Sequence, residues 1–306
     1  MLSVFLLILP IYILIAAGFA SVKLKYLGAE EMRGLGRIVL RLFMPAMMFL
    51  AIASNPITET LRWDFIIGYA AASLATYAAS FGVARLAGQP FGAAALEAMG
   101  SACSNSAFLG LPIATLVVGP TVALQCFALA VLVENLLVIP IAVGLCEAGQ
   151  GAGRVPVARI LSGVAKSPLL AAAVAGLGWA VSGLTLPGPV DQVLRMMAPV
   201  AAPVALLTIG ATVAQLSLRS VGFGVLRVVP GKLILHPLAV LAAFTLIGTL
   251  PHDLMIAGVV TASVPMMTIY TLFGQRFGRE GMTATAQILA TAVSFFTVSL
   301  ILSLLR

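Results

Sequence analysis

The chain has 306 residues, 61% of them apolar and only 9% charged, where soluble domains run at roughly 45–50% and 25%. That much apolar side chain exceeds what a water-soluble core can absorb, which excludes a soluble enzyme or binding domain and assigns the excess to lipid. The net charge of +7 comes from basic residues scattered between apolar runs, without the clustered aromatics of a nucleic-acid surface, so the expected partner is a lipid bilayer and not nucleic acid.

Apolar runs long enough to cross a bilayer, about 20 residues each, are predicted over 3–21, 34–53, 64–87, 95–118, 122–146, 159–182, 191–216, 222–249, 253–276 and 282–305. The first opens directly from Met1-Leu2-Ser3 with no basic stretch before it, so it reads as a retained span and not as a secretory signal. The runs are continuous and lack the ten-residue alternation of a β-barrel. The expected fold class is therefore an all-α integral membrane protein of about ten transmembrane helices. With the N-terminus outside, only Arg62, Arg195 and Arg306 of the 17 basic residues fall on the outer side. This asymmetry predicts both termini on the non-cytoplasmic face of the cell (inner) membrane.

Glu147 to Pro156 is rich in glycine and divides the chain into two sets of five spans. The expected units are 1–146, a cytoplasmic linker over 147–158, and 159–306. An odd number of spans per unit gives the second unit the opposite orientation, an inverted repeat. Leu40-Arg41-Leu42-Phe43-Met44-Pro45 is similar to Leu194-Arg195-Met196-Met197-Ala198-Pro199, about 154 residues on. Nearly the same offset relates Pro112 to Pro265 and Glu134 to Gln287.

The fourth and ninth spans contain Pro112 and Pro265, with Ser104, Asn105 and Ser106 beside the first and Thr268 and Tyr270 beside the second. Proline removes a backbone donor and crowds the preceding turn. Paired interruptions at corresponding places point to a transport site, where free amides and partial positive charge at half-helix N-termini attract anions. The plainer alternative is that the prolines only bend their helices.

Glu134, followed by Asn135, is the acidic residue set deep in a predicted span. Charged and unpaired it costs several kcal/mol, so it is expected to be protonated, paired or facing a cavity, either as a proton carrier or as a neutral acid bonded to a neighbouring helix. His236 lies one turn beyond Lys232 on the same face, with a structural and a proton-coupling role both open. Lys232 is expected to snorkel to the surface, and Arg41 to anchor at the interface or meet an anion at the inner mouth. Cys103, Cys126 and Cys146 have neither disulfide nor zinc spacing and read as packing residues. No nucleotide loop or hydrolase constellation is present, so no enzyme activity is expected.

The stretch Asn105-Ser106-Ala107-Phe108-Leu109-Gly110-Leu111-Pro112 resembles the Asn-x-x-Phe-Leu-Gly-x-Pro segment of the auxin efflux carrier family, and Lys232-Leu233-Ile234-Leu235-His236-Pro237 resembles a second recurrent segment of that family. The resemblance implies two inverted five-helix repeats, crossed fourth and ninth helices at the substrate site, and a homodimer. It also implies elevator-type movement of small organic anions such as malonate, malate or auxin-like acids, driven by protons or membrane potential. Site candidates are Ser104, Asn105, Ser106, Pro112, Pro265, Thr268 and Tyr270 for substrate and Glu134 and His236 for protons, with no metal and no cofactor beyond a proton or sodium gradient. Bacterial relatives often carry Ser, Asn or Ala after the ninth-span proline, where this chain has Met266 and Met267. A sodium-coupled symporter of the bile-acid carrier type and a membrane sensor on a transporter fold are the alternatives.

Overall fold

A computed structural model describes residues 2–53, 61–149, 168–217 and 221–305. Most of the predicted linker and the start of the sixth span lie outside them. Twelve helices account for nearly all the described residues: α1 Leu2–Lys23, α2 Ala29–Ala53, α3 Trp63–Leu86, α4 Phe91–Ala102, α5 Ser106–Val118, α6 Pro120–Ala148, α7 Pro168–Ser182, α8 Gly188–Gln215, α9 Phe223–Ile247, α10 His252–Ser263, α11 Tyr270–Arg276 and α12 Glu280–Leu305. Seven of these, α1, α2, α3, α6, α8, α9 and α12, are long and apolar enough to cross a membrane without interruption. The predicted fourth and ninth spans are each divided in two, as α4 with α5 and α10 with α11. Side chains such as Ile13, Ile67, Val174, Leu246 and Phe296 point outward with 56–87% of their surface uncovered, a distribution that suits lipid and not water.

Close helix contact is set by glycine. On α1 a methyl group added to Gly18 would lie 2.0 Å from the Leu207 carbonyl oxygen of α8. On α8 one added to Gly210 would lie 1.8 Å from the Ile15 carbonyl oxygen of α1. The two backbones therefore touch at reciprocal positions, an approach that dispersion rewards where lipid offers no hydrophobic drive between helices. A second apolar cluster, with Ile8, Ile11, Ile15, Leu206 and Ile209, carries this pair onto Leu109, Ile113, Ile256 and Val260 of α5 and α10.

On the other side of the molecule α3 packs on α9 and α10 through Phe65, Phe244 and Gly258. The two rings lie 5.0 Å apart, and Gly258 leaves room for both. Two ion pairs join distant parts of the chain. Arg227 of α9 holds Glu97 of α4 in a two-pronged contact at 2.7 and 2.8 Å, and Arg276 of α11 pairs with Glu147 at the end of α6.

Four helices contain a wide π turn: Val39–Phe43 in α2, Ser106–Gly110 in α5, Glu134–Val138 in α6 and Gly231–Leu235 in α9. Each is followed two residues later by a proline, Pro45, Pro112, Pro140 or Pro237. Proline can neither donate to the carbonyl four residues back nor avoid crowding it, and a locally wider turn relieves both demands.

Candidate functional site

The two divided spans meet in the interior. α4 stops at Ala102, Cys103 turns extended (φ −101°, ψ 119°), and Ser104 forms an antiparallel bridge with Met266. The Asn105 amide donates to the Pro265 carbonyl at 2.9 Å, so main-chain bonds stitch one interruption to the other.

Pro265 supplies the local cause on its side. A residue before proline is steered away from the helical region, and Val264 sits at φ −74°, ψ 161°, ending α10 at Ser263. In the fourth span the cause differs from the expectation. Pro112 lies inside α5, beyond its π turn, and the chain parts eight residues earlier. There Asn105 caps α5, its Oδ1 accepting from the Phe108 amide at 3.3 Å, as Asn does at helix starts.

The candidate residues divide by position. Ser104, Asn105, Ser106, Glu134 and Thr268 line one cavity of about 470 Å³. Asn105 Nδ2 donates to Thr268 Oγ1 at 3.2 Å, joining the two interruptions at the cavity wall. Pro112, Pro265, Tyr270 and His236 are not among the lining residues. The Tyr270 hydroxyl turns instead toward Met282 Sδ at 3.8 Å, and its ring fills the space left by Gly100. α11 has only seven residues, too short for a useful dipole, so the helix N-terminus that favours an anion here is that of α5.

From Ser104, Ser106 and Glu134 on the cavity wall a buried polar chain runs inward. Glu134 accepts from Ser106 Oγ at 2.8 Å to each carboxylate oxygen, from the Tyr69 hydroxyl at 3.1 Å and from the Ser104 amide at 3.4 Å. Lys232 Nζ donates to Ser104 Oγ at 2.8 Å, to the Ala262 carbonyl at 2.6 Å and to His236 Nδ1 at 2.9 Å. An ammonium only donates, so His236 Nδ1 accepts and its Nε2 carries the hydrogen toward Ser73 Oγ, 3.0 Å away. Tyr69 and Ser73 are one turn apart on α3, as Lys232 and His236 are on α9, and each pair presents one face to the interruptions. Glu134 thus sits at the N-terminal end of α5, and Lys232 at the C-terminal end of α10, where it satisfies a carbonyl left without a helical partner.

Lys232 overturns one expectation. It is fully buried and does not snorkel, because three internal acceptors replace the water its ammonium would otherwise seek. Tyr69 and Ser73 were also missed, although a polar pair four residues apart in an apolar span was the available signal. Arg33 and Arg37 of α2 line the cavity, and Arg41 does not. The three cysteines are free and buried.

Comparison with known proteins agrees with this architecture. A protein of Rhizobium meliloti (strain 1021) named "Putative malonate transporter" is 29% identical over 306 residues, covering 98% of this chain and 95% of the relative. The model of the membrane transport protein family matches residues 3–154 and 157–302, nearly the whole sequence, and the chain therefore belongs to this family of auxin efflux carriers.

Proposed function

We propose that the protein is a secondary carrier of small organic anions, with carboxylates of the malonate and malate class as substrates and a proton gradient or membrane potential as the driving force. The observation that carries this reading is the cavity at which both interruptions converge. It offers the N-terminus of α5, Asn105 and Thr268 to a carboxylate, with Glu134 on the same wall. The name of the Rhizobium meliloti relative supports the substrate class.

The cavity also separates two groups of helices. One wall is built from α2, α7 and α8, the other from α5, α6 and the segment ahead of α11. Elevator-type movement carries the second wall, together with α3, α4, α9, α10 and α12, past the first. Glu134 holds the Ser104 interruption, and Gln287 donates to the Met266 carbonyl of the other at 3.2 Å. This correspondence supports units 1–146 and 159–306 as inverted repeats with crossed helices at their centre. In the same reading the protein is a homodimer of the inner membrane with both termini outside.

The test is uptake of labelled malonate and malate into proteoliposomes, with and without an imposed pH gradient. Accumulation stimulated by the gradient supports a proton-coupled carrier. Accumulation indifferent to pH removes the proton from the reading, and no uptake under any gradient removes these substrates.

A further inference from the structure

The cavity is unequal in charge across its two walls. Among the described residues lining it, the charged ones are Arg33 and Arg37 on α2 and Glu134 on α6. Glu134 Oε1 is held by the Tyr69 hydroxyl and the Ser104 amide, and the Ser106 hydroxyl lies 2.8 Å from both carboxylate oxygens. Arg33 is already committed, donating to Gln215 Oε1 of α8 at 2.6 Å and pairing with Glu30 at 3.3 Å. Arg37 is one helical turn further on the same face, exposed and on the cavity wall. A guanidinium offers a planar fork of donors suited to a carboxylate.

Arg37 and the anion-favouring α5 terminus thus face one cavity from different helix groups. If the α5 wall moves, an anion travelling with it leaves Arg37 behind. We propose that Arg37 is a specificity-determining anion contact used only while the cavity is open on the α2 side, which makes the carrier bind carboxylates more tightly from the cytoplasmic face than from the outer face. This inference rests on the carrier reading above. It adds to it a residue, a side and an asymmetry.

The test compares malonate uptake by right-side-out and inside-out membrane vesicles carrying the wild type, Arg37→Gln, Arg37→Lys or Arg85→Gln. Arg85, bonded to the Gln89 carbonyl and off the cavity, controls for the loss of one surface charge. Arg37→Gln is expected to raise KM about tenfold from the cytoplasmic face, the worth of one charge-assisted hydrogen bond, with KM from the outer face unchanged. Arg37→Lys, which keeps the charge but loses the fork, is expected to fall between, and Arg85→Gln to match the wild type. A rise from the outer face, alone or equal on both, overturns the proposal, and so does no rise or an equal rise with Arg85→Gln. In each of those outcomes wild-type transport leaves the carrier reading standing. A wild type that moves no carboxylate from either side overturns both.

Discussion

Lys232 and Glu134 are joined through Ser104. The lysine ammonium donates to the serine hydroxyl at 2.8 Å, and the serine amide donates to the carboxylate at 3.4 Å. The residue at the interruption therefore couples a cation on α9 to an anion on α6.

Lys232→Met is expected to lower the melting temperature in detergent sharply. It strands the Ala262 carbonyl and removes the link through Ser104 toward Glu134, a loss on the order of 1–3 kcal/mol for buried polar groups left without partners. The double variant with Glu134→Gln is expected to recover part of that loss, since removing both charges costs less than orphaning one. A thermal-shift series on the wild type, both single variants and the double checks this, and strict additivity would contradict it.

Glu134→Gln alone preserves an oxygen to accept from Tyr69 and Ser106 but cannot exchange a proton. Acid-gradient stimulation of malonate uptake is expected to vanish while gradient-free exchange persists. Stimulation equal to the wild type would place the coupling proton elsewhere.

Asn105→Ala removes the cap on the Phe108 amide and the link to Thr268. The stability loss is expected at about 1 kcal/mol, typical of a lost N-cap. The uptake loss should be larger than that change in folding explains, because the side chain lines the cavity. Comparing detergent melting with uptake per folded protein separates the two effects, and a parallel decline in both would reduce Asn105 to a cap.

Gly210→Val forces side-chain atoms into the Ile15 carbonyl of α1. Separation of α1 from α8 is expected, at about 1–3 kcal/mol for overpacking, seen as a lower melting temperature. The protein that remains folded should show a smaller rise in KM for malonate than Asn105→Ala, since Gly210 is not itself a lining residue although its α8 neighbours Thr208, Ile209 and Thr212 are.

Much of the fold was legible because apolar length is a strong signal in a membrane protein. The ten predicted runs correspond to seven continuous helices, two divided ones and α7, whose predicted start lies outside the described residues. Proline also marked both divided spans, yet it fixed the position of only one. Val264 yields to Pro265 directly, whereas the Cys103–Asn105 opening depends on a glutamate 30 residues away and on the main chain of the partner segment, which local sequence cannot reveal. Lys232 was misread for a related reason. Its burial depends on acceptors contributed by Ser104 in the interruption, Ala262 of α10 and His236 of its own helix, and from composition alone a lysine in an apolar span is expected to reach for the surface. Arg33 and Arg37 were recognised only as part of the inner charge bias, because which basic residues border a cavity depends on how α2 lies against α8.

The π turns make the carrier's helices unusual in what they tolerate. Each contains one residue more than the α-helical path between the same ends requires. Deleting a residue from Glu134–Val138 would let α6 close as ordinary helix and would barely change its length. The helix before and after the deletion would keep its facing, because the wide turn already absorbs the extra residue. The change would be confined to the turn that begins at Glu134, re-aiming the carboxylate against Ser106 and Tyr69 while the span still crossed the bilayer. A one-residue deletion that would turn one half of a plain membrane helix away from its partners would here leave both halves in register and act on the turn at Glu134 alone.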